Sequence, residues 1–204
     1  MSARAATETA GAGTGAGGAA ARRRLVESAY FGMALFIFAE VMLFAGFFSA
    51  FVIVRSAAPA GIWPPAGQPR LPVERTLLNT ALLLASGALL AVAGRRFRAA
   101  GARGAGAWLT AALALGAAFV LAQGGEWLAL LRQGLTMTSS QLGAFFYLIV
   151  GAHALHAVGA LGALVWARRE LRAGRLTRTQ LGTVAMFWYF VVLVWPLLYW
   201  RVYL

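Results

Sequence analysis

Five apolar stretches, each at least 20 residues long, divide this chain and set what it can fold into. They run over residues 29–54, 75–94, 107–131, 142–167 and 180–200. With a rise of about 1.5 Å per residue, a helix of this length crosses a hydrocarbon core of roughly 30 Å. Lipid offers no partners for backbone groups, so spanning segments are helices or closed barrels. The alternation typical of barrel strands is absent here, and the sequence predicts an all-α bundle of five transmembrane helices.

The composition excludes a soluble domain, because 61% of the residues are apolar and the mean hydropathy is +0.73. The chain divides into two parts. Residues 1–28 are small, Gly-rich and end in arginines, which predicts a disordered basic tail and not a signal peptide. Residues 29–204 form the predicted five-helix membrane domain.

The distribution of arginine predicts the orientation in the membrane. Thirteen of the 18 basic residues lie in the N-terminal segment, the second loop and the fourth loop. The positive-inside rule therefore places the N-terminus in the cytoplasm and the C-terminus outside. The net charge of +12 is best explained by contact with anionic lipid headgroups, and we expect no nucleic-acid partner.

Five polar residues inside the spans are the candidates for chemistry: Glu40, Gln123, Glu126, His153 and His156, with Asn79 and Thr80 near the outer end of the second span. Ionisable groups at this depth are expensive and commonly mark a function. Counting helical rise puts Glu40 and His156 each about 16 Å from the cytoplasmic end of their spans, so the two can meet at one level. His153 lies one turn further out, and Gln123 lies near the same level.

Two interpretations of this buried polar cluster stay open. The side chains either form a hydrogen-bonded cluster that fixes helix packing, which we favour for the two histidines, or they handle protons or a lipid headgroup. A metal site is not expected, because two histidines without cysteine or a Glu-x-x-His repeat leave the ligand set incomplete.

Small and aromatic residues predict how the helices pack. Gly143, Gly151 and Gly159 fall on one stripe of the fourth span, where close helix approach is expected. The fifth span carries aromatic residues that are expected to crowd towards the outer interface, namely Trp188, Tyr189, Trp195, Tyr199, Trp200 and Tyr203.

Four segments in this order resemble subunit III of the heme-copper (cytochrome c) terminal oxidases. They are FIFAEVMLFAGFFSAF, WPPAGQPRLPVERTLLNTALLLASG, AQGGEW and GAFFYLIVGAHALHAVGAL, and the resemblance covers residues 28–200. By this resemblance, Glu40 corresponds to the family's buried glutamate, Glu126 to the glutamate before an aromatic residue, and His153 with His156 to its histidine pair.

The resemblance implies an accessory subunit that binds no cofactor itself. Heme and copper are then expected in partner subunits. Such a subunit packs on catalytic subunit I, joins other respiratory subunits in the bacterial inner membrane, binds phospholipid, and supports proton uptake and stability during turnover.

The chain departs from the family pattern in two ways. It matches the short five-helix form and lacks the first two helices of the long form. In the last helix, Tyr189 and Val192 stand where the family has His and Asp.

Two alternatives remain at this stage. One is a subunit III-like component of a quinol oxidase or nitric oxide reductase. The other is a small proton-coupled carrier, although inverted repeats and broken helices typical of carriers are not seen in the sequence.

Overall fold

The structure is a computed structural model that describes the backbone of residues 12–57 and 73–203, and side chains from residue 27 onward within those ranges. All elements in these ranges are helical: α1 (Ala12–Ala57), α2 (Val73–Arg132), α3 (Gln141–Arg172), α4 (Arg178–Leu198) and a π-helical turn (Tyr199–Tyr203). Four helical segments are long and apolar enough to cross a membrane: Glu27–Ala57, Val73–Arg132, Gln141–Arg172 and Arg178–Tyr203. The predicted all-α membrane class is confirmed at this level.

Helix α2 is folded back on itself at Gly101. This glycine has φ 63° and ψ −149°, a conformation that residues with a Cβ rarely adopt. The Ser86 hydroxyl donates to the Ala112 carbonyl at 2.7 Å, whereas a straight helix would separate these residues by about 39 Å. Residues 73–100 and 102–132 therefore lie side by side, and we call them the first and second limbs of α2.

Helix α4 packs against α1, α2 and α3, and two of its tryptophans lie in the core. Trp188 and Trp195 are fully buried, and their indole N–H groups donate to Ser86 at 3.2 Å and Thr80 at 2.9 Å. The expected interfacial position is wrong for both, because hydroxyls on the first limb of α2 satisfy the indoles inside the bundle. Trp200, in contrast, is exposed.

Helices approach closely at Gly116, where a Cβ would lie 2.6 Å from the Trp188 ring, and at Gly182, where a Cβ would overlap the Tyr30 hydroxyl of α1. The glycines of the predicted stripe on α3 show no such close contact with another helix. A Cβ at Gly143 would overlap the Thr136 carbonyl in the preceding loop, while Gly151 and Gly159 have only aromatic ring atoms, at 3.7 Å and 3.9 Å. Gly143 thus serves the loop, and the other two glycines leave room for a methyl group.

Polar caps begin the last two long helices. The Ser140 hydroxyl accepts from the Gly143 amide at 3.0 Å, and Thr177 and Gln180 form a reciprocal capping box. At the other end of the chain, α1 begins at Ala12, inside the segment 1–28 predicted as a tail. Residues 1–11 and 58–72 lie outside the described residues, and the disordered tail stays a prediction.

Candidate functional site

Glu40 on α1 and His156 on α3 meet as the counted depths predict. Glu40 Oε2 lies 3.0 Å from His156 Nε2, and the two side chains are only 17% and 12% exposed. This is the distance of an ion pair, but the two atoms are not aligned as a hydrogen bond. Since both helices are apolar around these residues, the contact joins α1 to α3 at one polar point.

The other nitrogen of His156 fixes how many protons the pair holds. Nδ1 lies 2.7 Å from the Ala152 carbonyl oxygen, which can only accept, so Nδ1 carries a proton. A favourable contact between Nε2 and Glu40 then needs one more proton, on the carboxyl or on the ring. Either arrangement would leave the pair neutral overall.

Aromatic rings surround the imidazole of this pair. The His156 ring has four phenyl rings with centroids within 5.8–6.4 Å: Phe36, Phe44, Phe187 and Phe190. Electrostatic interactions between the carboxyl and the imidazole are therefore stronger than they would be in water.

Glu126, on the second limb of α2, lies in a separate polar network. Its Oε1 accepts from Asn79 Nδ2 at 3.2 Å, and its Oε2 accepts from the Thr76 hydroxyl at 3.1 Å. Gln123 Nε2 donates both to Glu126 Oε2, at 3.2 Å, and to the Tyr203 hydroxyl, at 3.1 Å. This network joins the two limbs of α2 to the π-helical turn, and the carboxyl faces hydrogen-bond donors on every side that the structure describes.

His153 joins neither group. It is 1% exposed, its ring lies 5.1 Å from the Trp195 ring and 6.4 Å from the Phe44 ring, and neither nitrogen has a hydrogen-bond partner among the described residues. The five residues predicted as one cluster are thus divided into a Glu40–His156 pair, a Glu126–Gln123 network and an isolated His153.

Sequence reasoning named Asn79 and Thr80 but left out the other hydroxyl groups that complete these contacts, those of Thr76, Ser86 and Tyr203. Thr76, Thr80 and Ser86 lie on one buried face of the first limb, and Tyr203 closes the Glu126 network from the end of the chain. The spacing of Thr76, Asn79 and Thr80, three to four residues apart, is the signal for one polar helix face. Nothing in the sequence indicates that Tyr203 turns inward.

Metal-ligating side chains do not come together in the part of the chain that the structure describes. Within it, no three His, Cys, Asp or Glu side chains lie close enough to hold a metal ion. The described side chains thus offer a carboxyl–imidazole pair and a hydrogen-bond network.

Comparison with known proteins gives the family. Residues 15–204 match the family model described as cytochrome c oxidase subunit III. The probable cytochrome c oxidase subunit 3 of Mycobacterium leprae is 32% identical over 179 residues, which cover 84% of this chain and 85% of that protein. The cytochrome c oxidase subunit 3 of Sus scrofa is 35% identical over 181 residues, which cover 85% of this chain and 68% of the relative. The chain belongs to the cytochrome c oxidase subunit III family, and it is a non-catalytic, accessory subunit of a heme-copper oxidase.

Proposed function

We propose that this subunit packs on catalytic subunit I of a proton-pumping oxidase and contributes no redox cofactor of its own. Family membership supports the assembly with other oxidase subunits. The names of the relatives favour cytochrome c over quinol as the electron donor of the complex. Heme and copper then belong to the partner subunits. This chain binds lipid, supports proton uptake and stabilises the complex during turnover.

We propose five membrane crossings, with the N-terminus in the cytoplasm and the C-terminus outside. The fold-back at Gly101 supports this count, because each limb of α2 is long enough to cross the bilayer by itself. The asymmetry of the arginines supports the orientation. The Mycobacterium leprae relative supports a location in a bacterial cytoplasmic membrane.

The Glu40–His156 pair carries the proton-handling part of the proposal. It lies within an apolar bundle, and it has an Oε2–Nε2 distance of 3.0 Å. A proton that passes between the carboxyl and the imidazole leaves such a pair neutral overall, and a proton gained or lost leaves a single charge beside a polar partner. We propose that it helps sustain proton uptake by the neighbouring catalytic subunit.

The test is Glu40→Gln in the assembled oxidase. The Gln amide can donate to His156 Nε2, so the contact and the amount of assembled complex should persist. The amide cannot take part in proton exchange, and we expect proton uptake and sustained turnover to fall, most strongly at alkaline pH where protons are scarce. Proton uptake in liposomes and the decay of oxygen consumption measure this.

The control is Glu27→Gln, which also removes a carboxyl from α1 but at a position outside the apolar centre of the helix. It should leave uptake unchanged at every pH. If Glu40→Gln and Glu27→Gln behave alike, Glu40 has only a packing role, while membership of the oxidase stands.

We also propose an anionic lipid site at the cytoplasmic end of the bundle. A cavity of about 490 Å³ there is lined by Arg95 and Arg98 at the end of the first limb of α2, by Arg178 at the start of α4, and by Tyr30 and Tyr189. Arg178 Nη2 donates to the Arg98 carbonyl at 3.2 Å, which keeps these groups together. Guanidinium groups beside phenol rings suit the phosphate and glycerol parts of a phospholipid headgroup.

Arg95→Gln tests the lipid site. The amount of anionic phospholipid that copurifies with the complex should fall, as measured by mass spectrometry of extracted lipids, because one phosphate-binding charge is lost. Arg132→Gln, at the other end of the second limb, removes the same charge away from the cavity and should retain the lipid. Equal lipid content in both variants contradicts the site.

A further inference from the structure

A small cavity lies beside His153, outside the Glu40–His156 pair. Its volume is about 130 Å³, and it is enclosed by the second limb of α2, by α3 and by α4. Its polar walls are Gln123, Trp127 and His153, and the rest of the lining is apolar, including Phe119 and Trp195.

Every polar wall residue of this cavity has a buried atom without a partner. These atoms are Gln123 Oε1, Trp127 Nε1 and both ring nitrogens of His153, none of which is hydrogen-bonded within the described residues. Gln123 is 5% exposed and His153 1% exposed, so neither reaches bulk solvent. A buried polar atom without a hydrogen bond costs about 1–3 kcal/mol, and four such atoms around one cavity require an explanation.

The donors and acceptors of these four atoms match those of water. Trp127 Nε1 can only donate, Gln123 Oε1 can only accept, and a neutral imidazole does one of each. A water molecule needs two to four polar partners, and a cavity of this volume is large enough to hold water. We propose that this cavity is an internal hydration site that holds a small cluster of ordered water.

Such a cluster connects His153 to the Glu126 network. Gln123 lines the cavity, its Oε1 has no partner among the described residues, and its Nε2 donates to Glu126 and Tyr203. Water between His153 and Gln123 therefore extends the hydrogen-bonded network from the end of the bundle to the depth of His153. The Phe44 ring is near both histidines, with ring centroids 6.4 Å from His153 and 5.8 Å from His156, and neither Glu40 nor His156 lines the cavity.

Water fits this site better than other occupants. A metal ion would need further charged or imidazole ligands, and His153 is the only titratable residue in the lining. An acyl chain would fill the volume but leave the four polar atoms unpaired, at the cost already described.

The first test is a density map of the assembled complex at a resolution that shows other buried waters. We expect separate peaks within hydrogen-bond distance of His153, Trp127 Nε1 and Gln123 Oε1. An empty cavity in such a map, or continuous density of an acyl chain, would overturn the proposal.

The second test fills the cavity with Ala154→Leu, alone and together with His153→Leu. If water satisfies His153, its displacement strands the imidazole, and Ala154→Leu alone should lower the midpoint temperature for dissociation of this chain from the complex by about 3 °C or more. In the His153→Leu background the same change should have little effect or raise the midpoint, because an apolar wall gains contacts.

Val158→Leu is the matched control, because Val158 lies on the same helix and is 54% exposed. It should leave the midpoint unchanged in both backgrounds. If Ala154→Leu shifts the midpoint temperature equally in the natural background and in the His153→Leu background, the imidazole does not bind water and the proposal fails. If the double variant does not assemble, the density map decides.

Discussion

The two buried glutamates of this subunit differ in what their partners allow. Glu40 faces an imidazole that can give or take a proton, and phenyl rings surround that imidazole. Glu126 faces Thr76, Asn79 and Gln123, all of which donate to it. The first arrangement tolerates two protonation patterns, whereas the second is satisfied by a carboxylate that only accepts.

Glu126→Gln should therefore disturb the structure more than Glu40→Gln does. The new amide would point its N–H groups at donors, which leaves at least one buried group unpaired and lowers the free energy of unfolding by about 1–3 kcal/mol. The yield of assembled complex and its thermal midpoint measure the effect. A Glu126→Gln variant as stable as Glu40→Gln would show that the network around Glu126 is not required for packing.

At the scale of the helices, glycines and tryptophans decide how the bundle closes. Gly101 permits the turn in α2 that brings its limbs together, and Gly116 lets the second limb approach Trp188 of α4. The Trp188 indole then reaches Ser86 on the first limb, at 3.2 Å. The packing of the two limbs of α2 against α4 thus depends on one small residue, Gly116, and on one buried ring, that of Trp188.

Gly116→Ala is expected to destabilise this junction. The added methyl would lie 2.6 Å from a fully buried ring, and overpacking of this kind costs about 1–3 kcal/mol. Less of this subunit should be retained by the complex after mild heating, measured by quantitative gel analysis.

Gly151→Ala is the matched control for that prediction, because its nearest side-chain atom lies at 3.7 Å. It should retain the subunit as the unmodified chain does. Equal loss in both variants would show that the small-residue stripe on α3, and not the Gly116–Trp188 contact, controls packing.

At the scale of the whole molecule, burial is uneven across the bundle. In the most apolar part of α4 50% of the residues are buried within the chain, against 11% in α1. Helix α4 is the centre of the subunit, and α1 is the helix with most apolar surface left for lipid or for another subunit. The Glu40–His156 contact is one of the places where α1 is held to the rest.

The proposed crossings can be tested by labelling single cysteines, since the natural chain has none. Ala102→Cys lies beside the Gly101 turn and Ala173→Cys between α3 and α4, while Met137→Cys lies in the loop between α2 and α3. A thiol reagent that does not cross membranes should label the first two from the cytoplasmic side and the third from the outside. Labelling of Ala102→Cys and Met137→Cys from the same side would contradict two crossings by α2.

The sequence by itself determined the all-helical membrane class, and it predicted that Glu40 and His156 can meet, because hydrophobic length and helical rise depend only on position along the chain. The sequence also indicated the family, because several short segments resemble those of the family and occur in the same order. The tertiary structure decided which polar groups are partners. Contacts such as Gln123 with Tyr203, or Trp195 with Thr80, join residues 80 or more positions apart, and only the fold-back at Gly101 and the central position of α4 bring them together.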